Sequence, residues 1–251
     1  VLQNLFPTEK LKFASTDTVV YATLAATQLD NLEWLGGRGY SHFGLYIHGV
    51  QYTKDNGETA IGTYLPVLFE NLADPILSGR EELGFPKLFA DLDFQQNRDN
   101  NTCSLTASWM GSKFATMTLS NPVLESPTNG HNHNHTGPQS ASTPPPNEAL
   151  FLHKHIPATG STNSAERGQH DISYTTFVPT AEDAKTVGRK VNKTLTTKSA
   201  EITFDALDWM ALPTLHHVVA RLQEVPVFEV VEARVVEGTG VSDVSCARRV
   251  E

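Results

Sequence analysis

Apolar residues along this chain come in short runs, broken at close intervals by Gly, Asn, Asp and Pro. Segments 17–25, 41–52 and 58–69 are rich in β-branched and aromatic residues, which suit a pleated, half-buried surface. Asp30-Asn31, Gly36-Gly37 and Asp55-Asn56-Gly57 punctuate them as turns of an antiparallel sheet. Ile47 to Tyr52 alternates roughly, whereas Thr59 to Phe69 is apolar on nearly both faces. Asp74-Pro75 opens a short helix, with Pro in its first turn and Ile76, Leu77 and Leu83 for the core. Strands are expected at 87–94, 102–110 and 113–119, the last two joined by a tight turn at Gly111-Ser112. Others are expected at 151–156, 173–178, 200–204 and 227–236. Leu215, Val218, Val219 and Leu222 recur at helical spacing after Pro213-Thr214. Strands outnumber helices, and strand–helix–strand alternation is rare. The pattern predicts a mainly β, largely antiparallel barrel with a few packed helices.

One segment departs from this rhythm. Residues 125–148 hold almost no apolar side chain and are dense in Pro, Ser, Asn and Gly, so a solvated, mobile insertion is expected there. The rest reads as a single domain over 1–251. Hydrophobic content of 39% and charged content of 19% fit a globular chain. A net charge of −9 with scattered Lys and Arg would repel a nucleic-acid backbone, which excludes that class of partner. No apolar run reaches the length of roughly 18 residues that a membrane-spanning helix needs. Cys103 and Cys246 fit neither a disulfide framework nor a metal site, so reduced thiols and a cytoplasmic setting are expected. The Asn-x-Ser/Thr triplets at Asn100, Asn134 and Asn192 carry no weight without a visible signal peptide.

Chemistry enters at Gly79-Arg80-Glu81-Glu82-Leu83-Gly84-Phe85-Pro86-Lys87-Leu88-Phe89-Ala90-Asp91. By periodicity this is only a helix, a turn and a strand. It resembles, without a gap, the G-R-E…G-[FY]-P-K signature of the acetoacetate decarboxylase family. Weaker similarity runs from Leu2-Gln3-Asn4-Leu5-Phe6-Pro7 to Phe204-Asp205-Ala206-Leu207 and the segment 226–236. The resemblance implies an antiparallel barrel with a closed apolar interior, a symmetric homo-oligomer, no cofactor, and Lys87 as the Schiff-base lysine. A lysine with the usual pKa of about 10.4 is protonated at neutral pH and cannot attack a carbonyl. Burial in an apolar interior disfavours the ammonium and frees the amine, an activation for which acetoacetate decarboxylase itself is a known instance.

The chain also departs from the family pattern. Many decarboxylases carry a second lysine directly after the reactive one, and here that position is Leu88. The family's two active-site glutamates fall on a strand matching Thr18–Leu24, where no glutamate can be placed, and a loop matching Glu33–Ser41. In that loop Arg38 stands near the expected acid, with Glu33 upstream. The family's N-terminal active-site arginine would precede Val1. Arg38 is thus the candidate anchor for a substrate carboxylate, which a guanidinium meets bidentately. Glu33 and Tyr40 are candidate proton donors. Phe85, Leu88, Tyr64 and Trp109 are candidate substrate-binding residues, with His42 and Tyr46 as further lining groups. The expected substrate is a small 3-oxo acid or ketone, and the expected reaction is lysine-dependent decarboxylation. Two alternatives stay open: aldolase, dehydratase or cyclase chemistry of secondary metabolism on the same amine, or a noncatalytic ligand-binding barrel. Arg80 and Glu81 read as an ion pair fixing the helix end. His131, His133 and His135 alternate in the Pro/Ser/Asn segment, where no rigid frame would hold a metal. His153 and His155 are expected on one side of a strand, as packing or surface groups.

Overall fold

A computed structural model describes residues 1–125, 149–160, 167–179, 190–240, 244 and 246–250. The expectations for most of 125–148, including His131, His133 and His135, lie outside the described residues. In chain order the strands are β1 (Leu11–Phe13), β2 (Ala22–Leu32), β3 (Arg38–Thr53), β4 (Thr59–Glu70), β5 (Lys87–Phe89), β6 (Asp91–Asn97), β7 (Thr102–Trp109), β8 (Ser112–Ser120) and β9 (Val123–Leu124). They continue with β10 (Ala149–Pro157), β11 (His170–Val178), β12 (Lys190–Thr197), β13 (Ser199–Phe204), β14 (Ala233–Thr239) and β15 (Arg248–Arg249). Two α-helices join them, α1 (Ala73–Ser78) and α2 (His216–Gln223). The mainly β expectation holds. Neither helix is long and apolar enough to cross a membrane.

The chain groups into two compact units. The first holds β1–β5, α1, β10, β11 and β15. Its sheet runs β1-β3-β4-β10-β11-β15, with β2 sharing the edge of β3 and β5 sharing the edge of β4. The barrel expectation is corrected here: among the described residues this sheet does not close. Its path ends at the two-residue β15 on one side and at β1 and β2 on the other, and no ladder joins those ends. β3 and β4 supply most of the core, with Phe43, Ile47, Val50, Leu65 and Phe69 at most 1% exposed. Burying each such side chain stabilises by about 1.5–3 kcal/mol. The ladder shifts register between Leu45 and Ile47, where Pro66 on β4 has no N–H to give, and again before Val50.

The second unit holds β6–β9, β12–β14 and α2. Its sheets run β13-β8-β7-β6 and β14-β12-β9. Leu105, Ala107 and Phe114 are buried in it, and the helical spacing of 215–222 is realised as α2, with Val219 and Leu222 buried.

Several boundaries moved. The expected strand 17–25 starts only at Ala22 and runs on to Leu32, so that the expected turn at Asp30-Asn31 is instead an irregularity within β2, with Asn31 at φ 55°. The expected strand 87–94 breaks at Ala90, which is fully buried, giving β5 and β6. Trp109 pairs with Ser112, so the tight turn is Met110-Gly111, both with positive φ. Residues 227–232 are not a strand, and Val227 and Phe228 are exposed. Apolar composition there misled because the segment has no paired neighbour among the described residues, and composition does not reveal pairing.

Candidate active site

Glycine and proline shape the approach to Lys87. After α1 the chain winds one π-helical turn, Gly79–Leu83, and leaves it through Gly84 in the left-handed conformation at φ 83°. A side chain at Gly84 would be strained in that conformation and would meet Lys154. Four hydrogen bonds fasten the turn. The Phe85 amide donates to the Gly79 carbonyl at 3.0 Å, and the Arg80 guanidinium to the Lys87 carbonyl at 2.9 Å. The Thr176 hydroxyl donates to the Leu83 carbonyl at 3.1 Å, and the Lys154 ammonium donates to the Glu81 carbonyl. Arg80 therefore holds the turn through a carbonyl rather than through the expected bond to Glu81. Beyond Pro86 the chain joins β4 as the parallel strand β5, with Lys87 opposite Leu68 and Leu88 opposite Phe69.

This path buries the lysine. Lys87 is 8% exposed, and its Nζ lies 2.9 Å from Glu70 Oε1 and donates to the Pro75 carbonyl at 2.9 Å. The Phe85 ring centroid stands 5.2 Å from the same nitrogen. Below the lysine stem runs bare backbone, since a Cβ on Gly79 would fall 2.6 Å from both Cε and Nζ. Gly79 has ordinary helical φ, so alanine fits its backbone. The Gly79→Ala variant is thus expected to fold, with its Tm lowered by about 5–15 °C as the displaced ammonium strains its buried pair with Glu70. Its methyl group displaces the amine, and misplacement on that scale lowers reactivity by roughly 100-fold. Thermal melts and imine-trapping rates on one preparation check both halves.

Sequence reasoning missed Glu70. It ends the apolar run of β4 and is 1% exposed, with its Oε2 buried and unpartnered. A lone acid closing a run that is apolar on both faces was the available signal. Opposite it in the β3–β4 ladder stands His42, whose Nδ1 is likewise buried and unpartnered. Directly opposed residues share a face of the sheet, and Tyr40 lies on that face two positions before His42. Burial raises the Glu70 pKa, and the Lys87 ammonium partly opposes that. Burial first and the Glu70 charge second push Tyr40 up to about 12. Tyr46 also rises to about 12, from burial, then Glu70, then Tyr40.

His42 is held neutral: burial, then the Lys87 ammonium, lower its pKa to about 4. The unfolded chain takes up that proton near the usual value of about 6.5, the folded chain only near 4. This group therefore leaves stability untouched above the first value, lowers it as pH falls, and completes its effect at the second. Glu70 acts with the opposite sign. Its raised pKa means the folded state binds a proton before the unfolded one, so stability increases as pH falls through that range. His42→Gln is expected to lose about 2 kcal/mol less than wild type between about pH 7 and 5, read by urea unfolding at each pH.

The other predicted site residues are placed as follows. Phe85 faces the lysine nitrogen, and Tyr40 is coupled to Glu70. Glu33 and Arg38 are exposed at the β2–β3 connection, where Arg38 donates to the Leu35 carbonyl at 3.4 Å. Leu88 follows Lys87 directly in β5, so its side chain takes the opposite face of the sheet. Tyr64 is buried on β4, its ring 5.6 Å from Phe6, and burial raises its pKa. Trp109 ends β7, in the second unit. His153 and His155 do share one side of β10, with ring centroids 6.5 Å apart and His170 beside them. Among the described residues no three His, Cys, Asp or Glu side chains gather closely enough to hold a metal.

Comparison with known proteins agrees with the motif. The family model for acetoacetate decarboxylase (ADC) matches residues 1–241. No protein of curated function matches the sequence significantly. Among solved structures, an acetoacetate decarboxylase superposes with a TM-score of 0.62 at 15% identity, covering 99% of this chain and 81% of that one. The acetoacetate decarboxylase of Legionella pneumophila gives 0.57 at 16%, covering 96% and 80%. The enduracididine biosynthesis enzyme MppR, complexed with the condensation product of pyruvate and imidazole 4-carboxaldehyde, gives 0.56 at 14%, covering 99% and 81%.

Proposed function

The chain belongs to the acetoacetate decarboxylase family, and from that premise we propose that it is a lyase working through an iminium at Lys87. The neutral amine adds to a ketone carbon, and loss of water leaves a C=N⁺ bond that withdraws electrons from the neighbouring carbon. In a 3-oxo acid the bond to the carboxylate then breaks toward that cation, releasing carbon dioxide and an enamine. A proton on carbon and hydrolysis return the amine. The observation that carries this reading is the enclosure of the Lys87 nitrogen between Glu70, the Pro75 carbonyl and Phe85, over the bare backbone of Gly79. Exclusion of water there strengthens every electrostatic interaction with a bound carbonyl compound.

A second reading keeps the iminium and replaces decarboxylation by aldol addition or dehydration. It is favoured by the carboxylate of Glu70 beside the amine, where a substrate carboxylate would meet like charge. It is favoured too by Leu88 in place of a second lysine, and by the exposure of Arg38, the intended anchor. MppR, on the same fold, is complexed with a condensation product.

Borohydride added during incubation with a 3-oxo acid reduces an imine to a stable secondary amine. We expect the added mass on the peptide that carries Lys87. Carbon dioxide release alongside the label supports decarboxylation, and label without release supports the second reading. Absence of label with every 3-oxo acid and ketone, in protein shown to bind them, overturns both and leaves a ligand-binding role.

A further inference from the structure

We propose that Glu70 is the acid–base partner of Lys87, taking the ammonium proton before attack and then moving protons at the substrate carbon beside the iminium. The inference rests on the iminium reading and adds to it a residue and a task. Geometry divides the carboxyl group into two ends. Oε1 lies 2.9 Å from Lys87 Nζ, in line to receive its proton. Oε2 is buried on a residue that is 1% exposed and has no hydrogen-bond partner. Buried carboxylate oxygens are almost always paired, because leaving one unpaired forfeits its hydration for nothing. An orphan oxygen on the same carboxyl group that holds the candidate nucleophile is accounted for if a substrate hydrogen completes it.

The groups facing Glu70 support the assignment. Lys87 reaches it from β5, and His42, Tyr40 and Tyr46 act on it from β3. His42, the nearest alternative base by register, is held neutral at a pKa of about 4. Burial moves Glu70 the other way, above the usual carboxylate value. The ordinary ranking of the two residues is therefore reversed, and the carboxylate is the stronger proton acceptor of the pair. Tyr40 and Tyr46 are phenols raised to about 12, suited to donating hydrogen bonds and not to accepting a proton.

The steps balance. Lys87 passes a proton to Oε1, and its freed electron pair forms the N–C bond while the carbonyl π pair moves to oxygen. A proton moves from the attacking nitrogen to the alkoxide to give the carbinolamine. Glu70 then returns its proton to that hydroxyl as the C–O bond breaks and water leaves, giving the iminium and a carboxylate. Oε2 then takes a hydrogen from the carbon next to C=N⁺. The C–H electrons become the enamine double bond, and the nitrogen is neutralised. Reversal delivers a proton to carbon; after carbon dioxide loss the same delivery follows once the Glu70 carboxylate has taken up a proton from water. The site thus accepts carbonyl compounds with an acidic hydrogen next to the carbonyl, with or without a carboxylate.

The test uses the full chain, butanone and heavy water, with two readouts. Borohydride trapping at Lys87 reports the iminium, and deuterium entry next to the carbonyl, followed by NMR, reports the proton transfer. Wild type is expected to trap and to exchange. Glu70→Gln is expected to lower exchange by roughly 100-fold or more, the scale of a lost general base. Glu70→Asp, with its carboxylate drawn back by one methylene, is expected to fall between them at roughly tenfold. Failure of the wild type to trap sinks the iminium reading itself. Trapping with no exchange in the wild type, or with undiminished exchange in a folded Glu70→Gln, overturns the role of Glu70 alone. Where Glu70→Gln does not fold, Glu70→Asp decides: trapping with lowered exchange supports the role, and trapping with wild-type exchange overturns it.

Discussion

Glu70→Ala is expected to lower the unfolding free energy of the protein by about 3–5 kcal/mol, the cost of leaving one partner of a buried ion pair uncompensated. Lys87 is 8% exposed and Glu70 1%, so neither charge regains water when the other is removed. The converse variant, Lys87→Met, strands a carboxylate instead, and that group escapes by taking a proton. Its stability deficit should therefore shrink as pH falls, whereas that of Glu70→Ala should not shrink in the same way. The double variant Lys87→Met/Glu70→Leu removes both charges and is expected to be more stable than either single one. Urea unfolding of the four proteins at two pH values measures all of this. Additive losses in the double variant would show that the pair is not coupled.

The second large effect is on reactivity. Lys87→Met is expected to lower imine formation with a 3-oxo acid by roughly four orders of magnitude or more, the scale on which loss of a nucleophile is felt. The comparison that isolates it is the buried Lys154, whose ammonium donates to the Glu81 carbonyl. Lys154→Met is expected to keep the label at Lys87, at a reduced rate if the turn loosens. Label that stays at full yield in Lys87→Met, or that maps to Lys154, contradicts the assignment.

Much of the fold was legible in the chain. The alternation of Ile47 to Tyr52 and the apolar run of Thr59 to Phe69 became parts of β3 and β4. Asp74-Pro75 did fall in the first turn of α1, although Leu77, expected in the core, is exposed. Sheet closure was not legible. It depends on whether end strands meet, and two-residue elements such as β15 leave no periodic trace. Lys87 was legible because its motif is contiguous in sequence. Glu70 was not, because its nearness to Lys87 arises from parallel pairing of β4 with β5, a contact across 17 positions that neither strand announces. Arg38 and Glu33 stand apart from Lys87 in exposure. The resemblance placed them in the loop of an active-site acid, and both are exposed beside a turn whose glycines, Gly36 and Gly37, have positive φ.

The fastened turn between α1 and β5 works as a spacer of fixed length. Gly79 and Leu83 are tied at one end and Lys87 is registered on Leu68 at the other, so slack is small. In a strand, neighbouring side chains look in opposite directions, and a slip of one place swaps them. Inserting one residue between Leu83 and Pro86 would thus present Pro86 where the amine now stands, and deleting one would present Leu88. The tally of residues from Gly79 to Lys87 matters as much to the proposed iminium chemistry as the nitrogen it delivers.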